Sequence, residues 1–181
     1  MRADAVRNRE RLTTAAAELF AERGVDVPLD EVARRAGVSI GTLYNNFPNR
    51  GALLDAVLPD RLTELEGLAA AALADDDAWR GFTAFLDGMF ALQARDRSIN
   101  EAISRSPAGA VDVGAECGRG GGILESAVAR ARDAGVLRAD FGPADLATLV
   151  GAMARVIVMS GGDDAVWRRH LGFVLDGLRA T

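Results

Sequence analysis

Two short helical patterns separated by a glycine, within residues 29–50, constrain this chain more than any other feature. The first spans Leu29–Ala36 and places apolar residues at helical spacing. Gly37 follows at the position where a helix most easily ends with a left-handed residue. Ser39 then supplies a hydroxyl that can cap a second short helix, Ile40–Asn46. This arrangement predicts a helix-turn-helix.

The surface of the second helix differs from that of an ordinary amphipathic helix. Leu43 is its only clear inward residue, and Phe47 anchors its end. The other side chains form hydrogen bonds or present flat contact surfaces, which suits base edges and phosphates in a major groove. They are Ile40, Gly41, Thr42, Tyr44, Asn45 and Asn46. The alternative is a helical hairpin that merely has a polar face.

Charge is distributed unevenly along the chain. No acidic residue occurs between Glu31 and Asp55, although the net charge of the chain is −5. Residues 1–50 contain eight arginines and seven acids, whereas the remainder contains thirteen arginines and nineteen acids. We expect a chain whose N-terminal part is basic and whose remainder is acidic to approach nucleic acid with its N-terminal part.

The segment AGVSIGTLYNNFPNRGALLDAV, at residues 36–57, resembles the DNA-binding segment of TetR-family transcriptional regulators, and the similarity extends back through residues 12–24. The resemblance implies an all-α homodimer that binds double-stranded operator DNA. Its helix-turn-helix DNA-binding domain would be residues 1–50, with helix four linking onward from about residue 50. Residues 51–181 would form a helical effector-binding and dimerisation domain. The resemblance assigns DNA contacts to Ser39, Ile40, Gly41, Thr42, Tyr44, Asn45, Asn46 and Arg50, with Arg50 on a phosphate.

Composition limits the class of protein. A chain of 181 residues with 49% hydrophobic residues is globular, and it can form one well-packed unit or two small helical ones. Cys117 is the only cysteine, which excludes an internal disulfide framework. The start is charged and no apolar stretch is long enough to span a bilayer. We therefore expect a soluble cytoplasmic protein without a cofactor.

Aromatic residues are concentrated in a helical pattern from about Ala78 to Arg95. A stripe of this kind usually forms core. Alternatively, its aromatic and methionine side chains line a cavity for a small, partly apolar molecule. The TetR resemblance favours this alternative, because effectors of the family bind in this region. The effector-lining candidates are Phe82, Phe85, Met89, Met153 and Ile157.

The last two helical patterns predict self-association. The first, Leu146–Ser160, is apolar nearly all round, and the final pattern carries a second apolar stripe. Because one small body cannot easily cover both, a symmetric four-helix bundle between two copies is expected. The interface candidates are Val156, Trp167, Leu171, Val174 and Leu178.

Local sequence patterns predict the structure of several further segments. Residues 1–8 are predicted to form a mobile arm, and Pro59 to kink or break helix four. The acidic run Asp75–Asp77 is interpreted as a helix cap in preference to a metal site. A short helix is expected at residues 98–105, followed by a flexible glycine-rich connection at residues 106–122.

The leading functional prediction is a dimeric, ligand-responsive transcription factor, most simply a repressor released from a palindromic operator. The alternatives are a small helical enzyme and an interaction module that uses the C-terminal cavity without binding DNA. An enzyme has little support, because His170 is the only histidine, Cys117 the only thiol, and no metal-ligand set is recognisable. An interaction module would leave the acid-free polar helix without a role.

Overall fold

Strong helical periodicity and short connections produce a structure built from α-helices. The computed structural model describes residues 2–100 and 120–180. Within these ranges the named helices are α1 Arg2–Arg23, α2 Leu29–Ala36, α3 Ile40–Asn46, α4 Arg50–Ala74, α5 Ala78–Arg95, α6 Gly120–Asp133, α7 Pro143–Met159 and α8 Asp164–Leu178. An isolated β-bridge pairs Leu137 with Arg179. The predicted all-α class is confirmed.

Internal contacts divide the chain into two units, and unit 1 consists of Met1–Thr63 with Asp96–Ser98. Helices α1, α2 and α3 pack on one another and on the first part of α4. Gly37 adopts the left-handed conformation (φ +67°), so that its own N–H and that of Val38 bond to the last carbonyls of α2. The fully buried side chains are Leu12, Ala16, Phe20, Val32, Leu43 and Leu53.

One expectation for unit 1 is wrong, and a second is wrong in one of its two alternatives. The predicted mobile arm is part of α1, which begins at Arg2. Helix α4 continues through Pro59 as one helix of 25 residues, so the predicted break does not occur, whereas a kink stays a prediction. Proline removes one backbone hydrogen bond and its ring crowds the carbonyl four residues earlier, so the hydrogen bonds of the flanking turns must offset this cost. The predicted boundary at residue 50 marks the start of α4, whereas the division by contacts falls after Thr63.

Unit 2 consists of Glu64–Arg95 and Ile99–Thr181, and α5 is its central helix. Helices α6, α7 and α8 all pack against α5. Gly81 permits a close approach to the end of α4, since a Cβ there would lie 2.5 Å from the Ala72 carbonyl oxygen. The largest fully buried side chains in this core are Trp167, Phe82, Phe85, Phe90, Leu86, Leu146 and Met153.

Carboxylate caps begin two helices of unit 2, α5 and α8. Asp77 accepts hydrogen bonds from the N–H groups of Trp79 and Arg80, at 2.9 and 3.0 Å, which confirms the interpretation of the acidic run as a cap. The hydrogen-bonded Arg80 guanidinium lowers the pKa of the neighbouring Asp75. Asp163 likewise accepts from the Ala165 N–H at 2.8 Å and caps α8.

Some sequence-based expectations cannot be compared with the structure. The predicted helix at residues 98–105 is helical at 97–100, and its remainder lies outside the described residues, as do residues 106–119 with Cys117. Gly120 to Gly122 already belong to α6, so the irregular stretch ends earlier than expected.

In the described part of the chain, every helix is too short or too polar to cross a membrane. The same residues contain no cluster of potential metal ligands.

Candidate nucleic-acid interface

Helix α3 turns one face into unit 1 and the other into solvent. Leu43 is fully buried and Phe47, at its end, nearly so. The outward residues follow helical spacing, and Tyr44 exposes 51% of its surface. The other exposed residues of this face are Ser39, Ile40, Gly41 and Asn45. The structure therefore presents in one place the residues that a duplex could contact.

Two further candidates of α3 are partly engaged within the helix. The Ser39 hydroxyl accepts from the Thr42 N–H at 3.1 Å and lies 2.9 Å from the Thr42 hydroxyl. The Asn46 Nδ2 donates to the Thr42 carbonyl at 2.8 Å. Thr42 and Asn46 are half-buried. These bonds hold the start and the last turn of a helix that is too short to be stable alone.

Arg9 of α1 fixes the C-terminal end of α3. Its Nη1 donates to the Asn46 carbonyl at 3.1 Å, and its guanidinium carbon lies 4.3 Å from the centroid of the Phe47 ring. A cation at this end also complements the partial negative charge of the helix terminus. The residues are 37 positions apart in the chain, so no local sequence signal reveals the contact.

Arg50 contacts the backbone of its own unit. Its Nη1 donates to the Val27 carbonyl at 2.6 Å and also to the Val25 carbonyl. The side chain is half-buried. It therefore ties the start of α4 to the loop between α1 and α2. These bonds give Arg50 a positioning role through Nη1, and its contact with a phosphate stays a prediction.

The other arginines in and near the acid-free segment differ in their availability. Arg35 pairs with Glu18 at 3.1 Å and Glu22 at 3.6 Å. Arg34, in the last turn of α2, is exposed and makes no ion pair with the described part of the chain. Arg11 lies over Gly37, where an added Cβ would be 2.5 Å from its Nη2. Within the described residues Arg34 is therefore an unpaired cation, and the assignment from the family resemblance did not include it.

Comparison with known proteins agrees with this architecture. The family described as "Bacterial regulatory proteins, tetR family" matches residues 12–57. The family "Transcriptional regulator SbtR-like, C-terminal domain" matches residues 77–180, more than half of the chain. The chain belongs to the TetR family of transcriptional regulators.

Individual relatives support the same assignment. The chain is 36% identical over 98 residues to TtgW of Pseudomonas putida, an uncharacterized HTH-type transcriptional regulator, covering 53% of this chain and 73% of TtgW. It is 32% identical to a TetR transcription regulatory protein of Mycobacterium vanbaalenii, with 99% of both chains covered and a TM-score of 0.57. For the TetR regulator SCO0520 of Streptomyces coelicolor the identity is 29%, the coverage 96% and 99%, and the TM-score 0.64. This TetR-family protein is a DNA-binding transcriptional regulator.

The residues predicted to contact an effector all lie in the hydrophobic core of unit 2. Phe82, Phe85 and Met89 follow one face of α5, and Met153 and Ile157 lie on α7. Each is at least 95% buried. The structure therefore brings these side chains into a common apolar cluster, and their contact with an effector stays a prediction.

The dimer candidates require a correction. Trp167, Leu171 and Leu178 are buried inside unit 2, so they have almost no surface left to bury against a partner. Val156 and Val174 are half-buried. The sequence pattern identified the apolar helices but not which apolar face points inward. The large apolar side chains that remain exposed on α7 and α8 are Val158, Met159, Val166 and Phe173.

Proposed function

We propose that this regulator is a homodimeric repressor that binds a palindromic operator and is released by a small molecule bound in unit 2. The observation that carries the DNA-binding part is the exposed, acid-free face of α3. Helices of this kind enter the major groove, where base edges carry the sequence information. Two copies related by a two-fold axis would read two half-sites.

Each residue of the interface has a role that follows from its exposure. Tyr44, Asn45 and Ile40 project from α3 and would reach bases and the adjacent backbone. Gly41 lets the helix approach the duplex closely, because it adds no side chain to the exposed face. Ser39, Thr42 and Asn46 contribute polar groups at the two ends of the same helix. Arg34 joins Arg50 as a proposed phosphate contact.

The proposed dimer uses the exposed apolar residues of α7 and α8. Met159 exposes 86% of its surface and Phe173 exposes 60%, which is costly for large apolar side chains in water. Val166 and Phe173 are seven positions apart and therefore share one face of α8. Val156 and Val174 would contribute at its edge. Pairing this surface with its own copy would bury these residues and set the separation of the two α3 helices.

The proposed effector contacts are Phe82, Phe85, Met89, Met153 and Ile157. Aromatic and methionine side chains of facing helices can open an apolar cavity with little rearrangement. The dimer would exist in states that differ in the separation of its two DNA-binding domains. An effector that binds the state unsuited to the operator more tightly shifts the population towards that state. The free energy of coupling between the two sites is then the amount by which the effector weakens operator binding.

The decisive experiment measures DNA affinity of the Tyr44→Ala variant. Operator sequences are first selected from a random pool with the wild-type protein, and affinities are then measured by fluorescence anisotropy over a range of salt concentrations. Wild-type affinity should fall steeply with salt. Tyr44→Ala should weaken operator binding by about 5- to 150-fold, which corresponds to roughly 1–3 kcal/mol for one specific contact.

Tyr44→Phe is the matched control, because it keeps the ring and removes only the hydroxyl. Circular dichroism of both variants establishes that they remain folded. Equal operator affinity of the wild type and Tyr44→Ala would refute the placement of α3 in the groove. Release of the bound operator by compounds from a screen tests the effector part separately.

A further inference from the structure

Two amide side chains are buried in unit 2 among apolar residues. Gln93 is 2% exposed and Asn100 is 5% exposed. Among the described residues of unit 2 they are the only buried polar side chains. Polar side chains in such surroundings ordinarily have all their hydrogen bonds satisfied.

The hydrogen bonds of these two amides are incomplete. Asn100 Nδ2 donates to the Ala154 carbonyl of α7 at 3.2 Å, which fixes the orientation of the amide. The Asn100 Oδ1 and the Gln93 Oε1 are both buried and have no hydrogen-bond partner among residues 2–100 and 120–180. Two acceptors that find no donor in the described part of the chain are therefore shielded from bulk water in the same unit. Such acceptors destabilise a protein unless water or another molecule supplies the missing donors.

Both amides lie at the edge of the aromatic cluster. Gln93 continues the face of α5 that carries Phe82, Phe85 and Met89, since it is one turn beyond Met89. Ala154, the partner of Asn100, lies next to Met153 on α7. Gln93 therefore shares a helix face with the apolar residues to which the proposed function assigns the effector, and Asn100 is hydrogen-bonded to a residue of the same cluster.

We propose that Gln93 and Asn100 are polar recognition residues for a neutral small molecule that has an apolar body and hydroxyl or amide N–H donors. This inference rests on the proposed function, which assigns effector binding to unit 2. The apolar body would contact the cluster, and the donors would bond to the two amide oxygens. A carboxylate or phosphate would be rejected, because it presents further acceptors to these oxygens. No buried charge among the described residues of unit 2 could neutralise it.

The first test needs no ligand. Gln93→Met keeps the length of the side chain and removes the unpartnered acceptor, so the ligand-free variant should be more stable than the wild type. For a chain of this size we expect a rise in Tm of about 2–4 °C by circular dichroism. A lower Tm would overturn the inference, since it would mean that the amide is already satisfied in the free protein.

The second test uses three probes on one carbon skeleton: dihydroxynaphthalene, dimethoxynaphthalene and naphthalene dicarboxylate. Calorimetric titration of the wild-type chain should show binding of dihydroxynaphthalene and much weaker binding of the dimethoxy and dicarboxylate probes. Gln93→Met should weaken diol binding by about tenfold. Leu92→Met, which places methionine one position earlier on the same helix, should change it by less than about twofold.

Different outcomes of the titrations contradict different parts of the hypothesis. Equal diol affinity of Gln93→Met and the wild type, absence of diol binding by the wild type, or dicarboxylate binding as tight as that of the diol would overturn the inference. Diol binding that leaves the operator affinity unchanged would instead count against the effector role in the proposed function. The two proposals can therefore fail independently.

Discussion

Replacement of Gly37 by alanine should lower the stability of unit 1 without changing the DNA-contacting surface. Gly37 has φ +67°, where an L-residue costs about 1–2 kcal/mol. The new Cβ would lie 2.5 Å from Arg11 Nη2, but the end of an arginine side chain can move away at little cost. We therefore expect a loss of about 1–2 kcal/mol, or about 2–8 °C in Tm.

Gly41→Ala is the same substitution at a neighbouring glycine, and its expected effects on stability and affinity are the reverse of those of Gly37→Ala. Gly41 lies inside α3, and an added Cβ would meet only the Ser39 hydroxyl oxygen at 3.8 Å. Alanine is about 0.5–1 kcal/mol more favourable than glycine in a helix interior, and this is the upper limit for Gly41, which lies in the first turn of α3. The variant should therefore be at least as stable as the wild type. Its methyl group would nevertheless project from the face proposed to approach DNA, so operator affinity should fall.

The pair is measured by thermal denaturation and by fluorescence anisotropy with a selected operator, at a temperature well below both transitions. The expected result is a crossed pattern, in which Gly37→Ala loses stability and keeps affinity while Gly41→Ala keeps stability and loses affinity. Unchanged Tm in Gly37→Ala would refute the assigned turn geometry. Unchanged affinity in Gly41→Ala would refute the close approach of α3 to the duplex.

Three further predictions concern other parts of the molecule. Arg50→Met should lower the stability of unit 1 by about 1–3 kcal/mol, because the Val25 and Val27 carbonyls lose a charged donor; an unaltered denaturation midpoint would contradict this role. Phe173→Glu or Met159→Glu should yield folded monomers in light scattering, and a persistent dimer with both variants would exclude this interface. Hydrogen bonds from Arg168 and, to a smaller extent, from Trp167 lower the pKa of Asp164 in the folded protein. The ionised Asp164 therefore contributes its full stabilisation above the pKa of the unfolded state, about 3.9, and this stabilisation is lost as the pH falls through the lower pKa of the folded state. The Tm difference between the wild type and Asp164→Asn should therefore be constant above about pH 5 and shrink in stronger acid, whereas a difference independent of pH would argue against the pair.

Much of unit 1 could be predicted from the sequence because its determinants are local. The bounds of α2 and α3, the left-handed Gly37 and the Ser39 cap all depend on residues a few positions apart. The exposed face of α3 follows from the same spacing, since Leu43 and Phe47 fix which side is internal. Cap residues and periodicity act within one or two turns, and they are therefore readable without knowledge of the fold.

The roles of individual arginines could not be read in this way. The sequence indicated basic residues near the interface, but it did not distinguish Arg50, which bonds to loop carbonyls, from Arg34, which is free of ion pairs within the described residues. Arg9 reaches Asn46 across 37 positions. A long flexible side chain can choose among partners from several elements, and only their packing decides which one it meets.

What the sequence alone determined is the helical class, the helix-turn-helix and the apolar character of the last two helices. Only the tertiary structure decided which apolar residues of those helices are internal: Trp167 and Leu171 are buried, while Met159 and Phe173 are exposed. It also placed Gln93 and Asn100 beside the aromatic cluster. Hydrophobicity specifies that a side chain avoids water, but not whether its own unit or another molecule covers it, because burial is non-directional and depends on the arrangement of all the neighbouring helices.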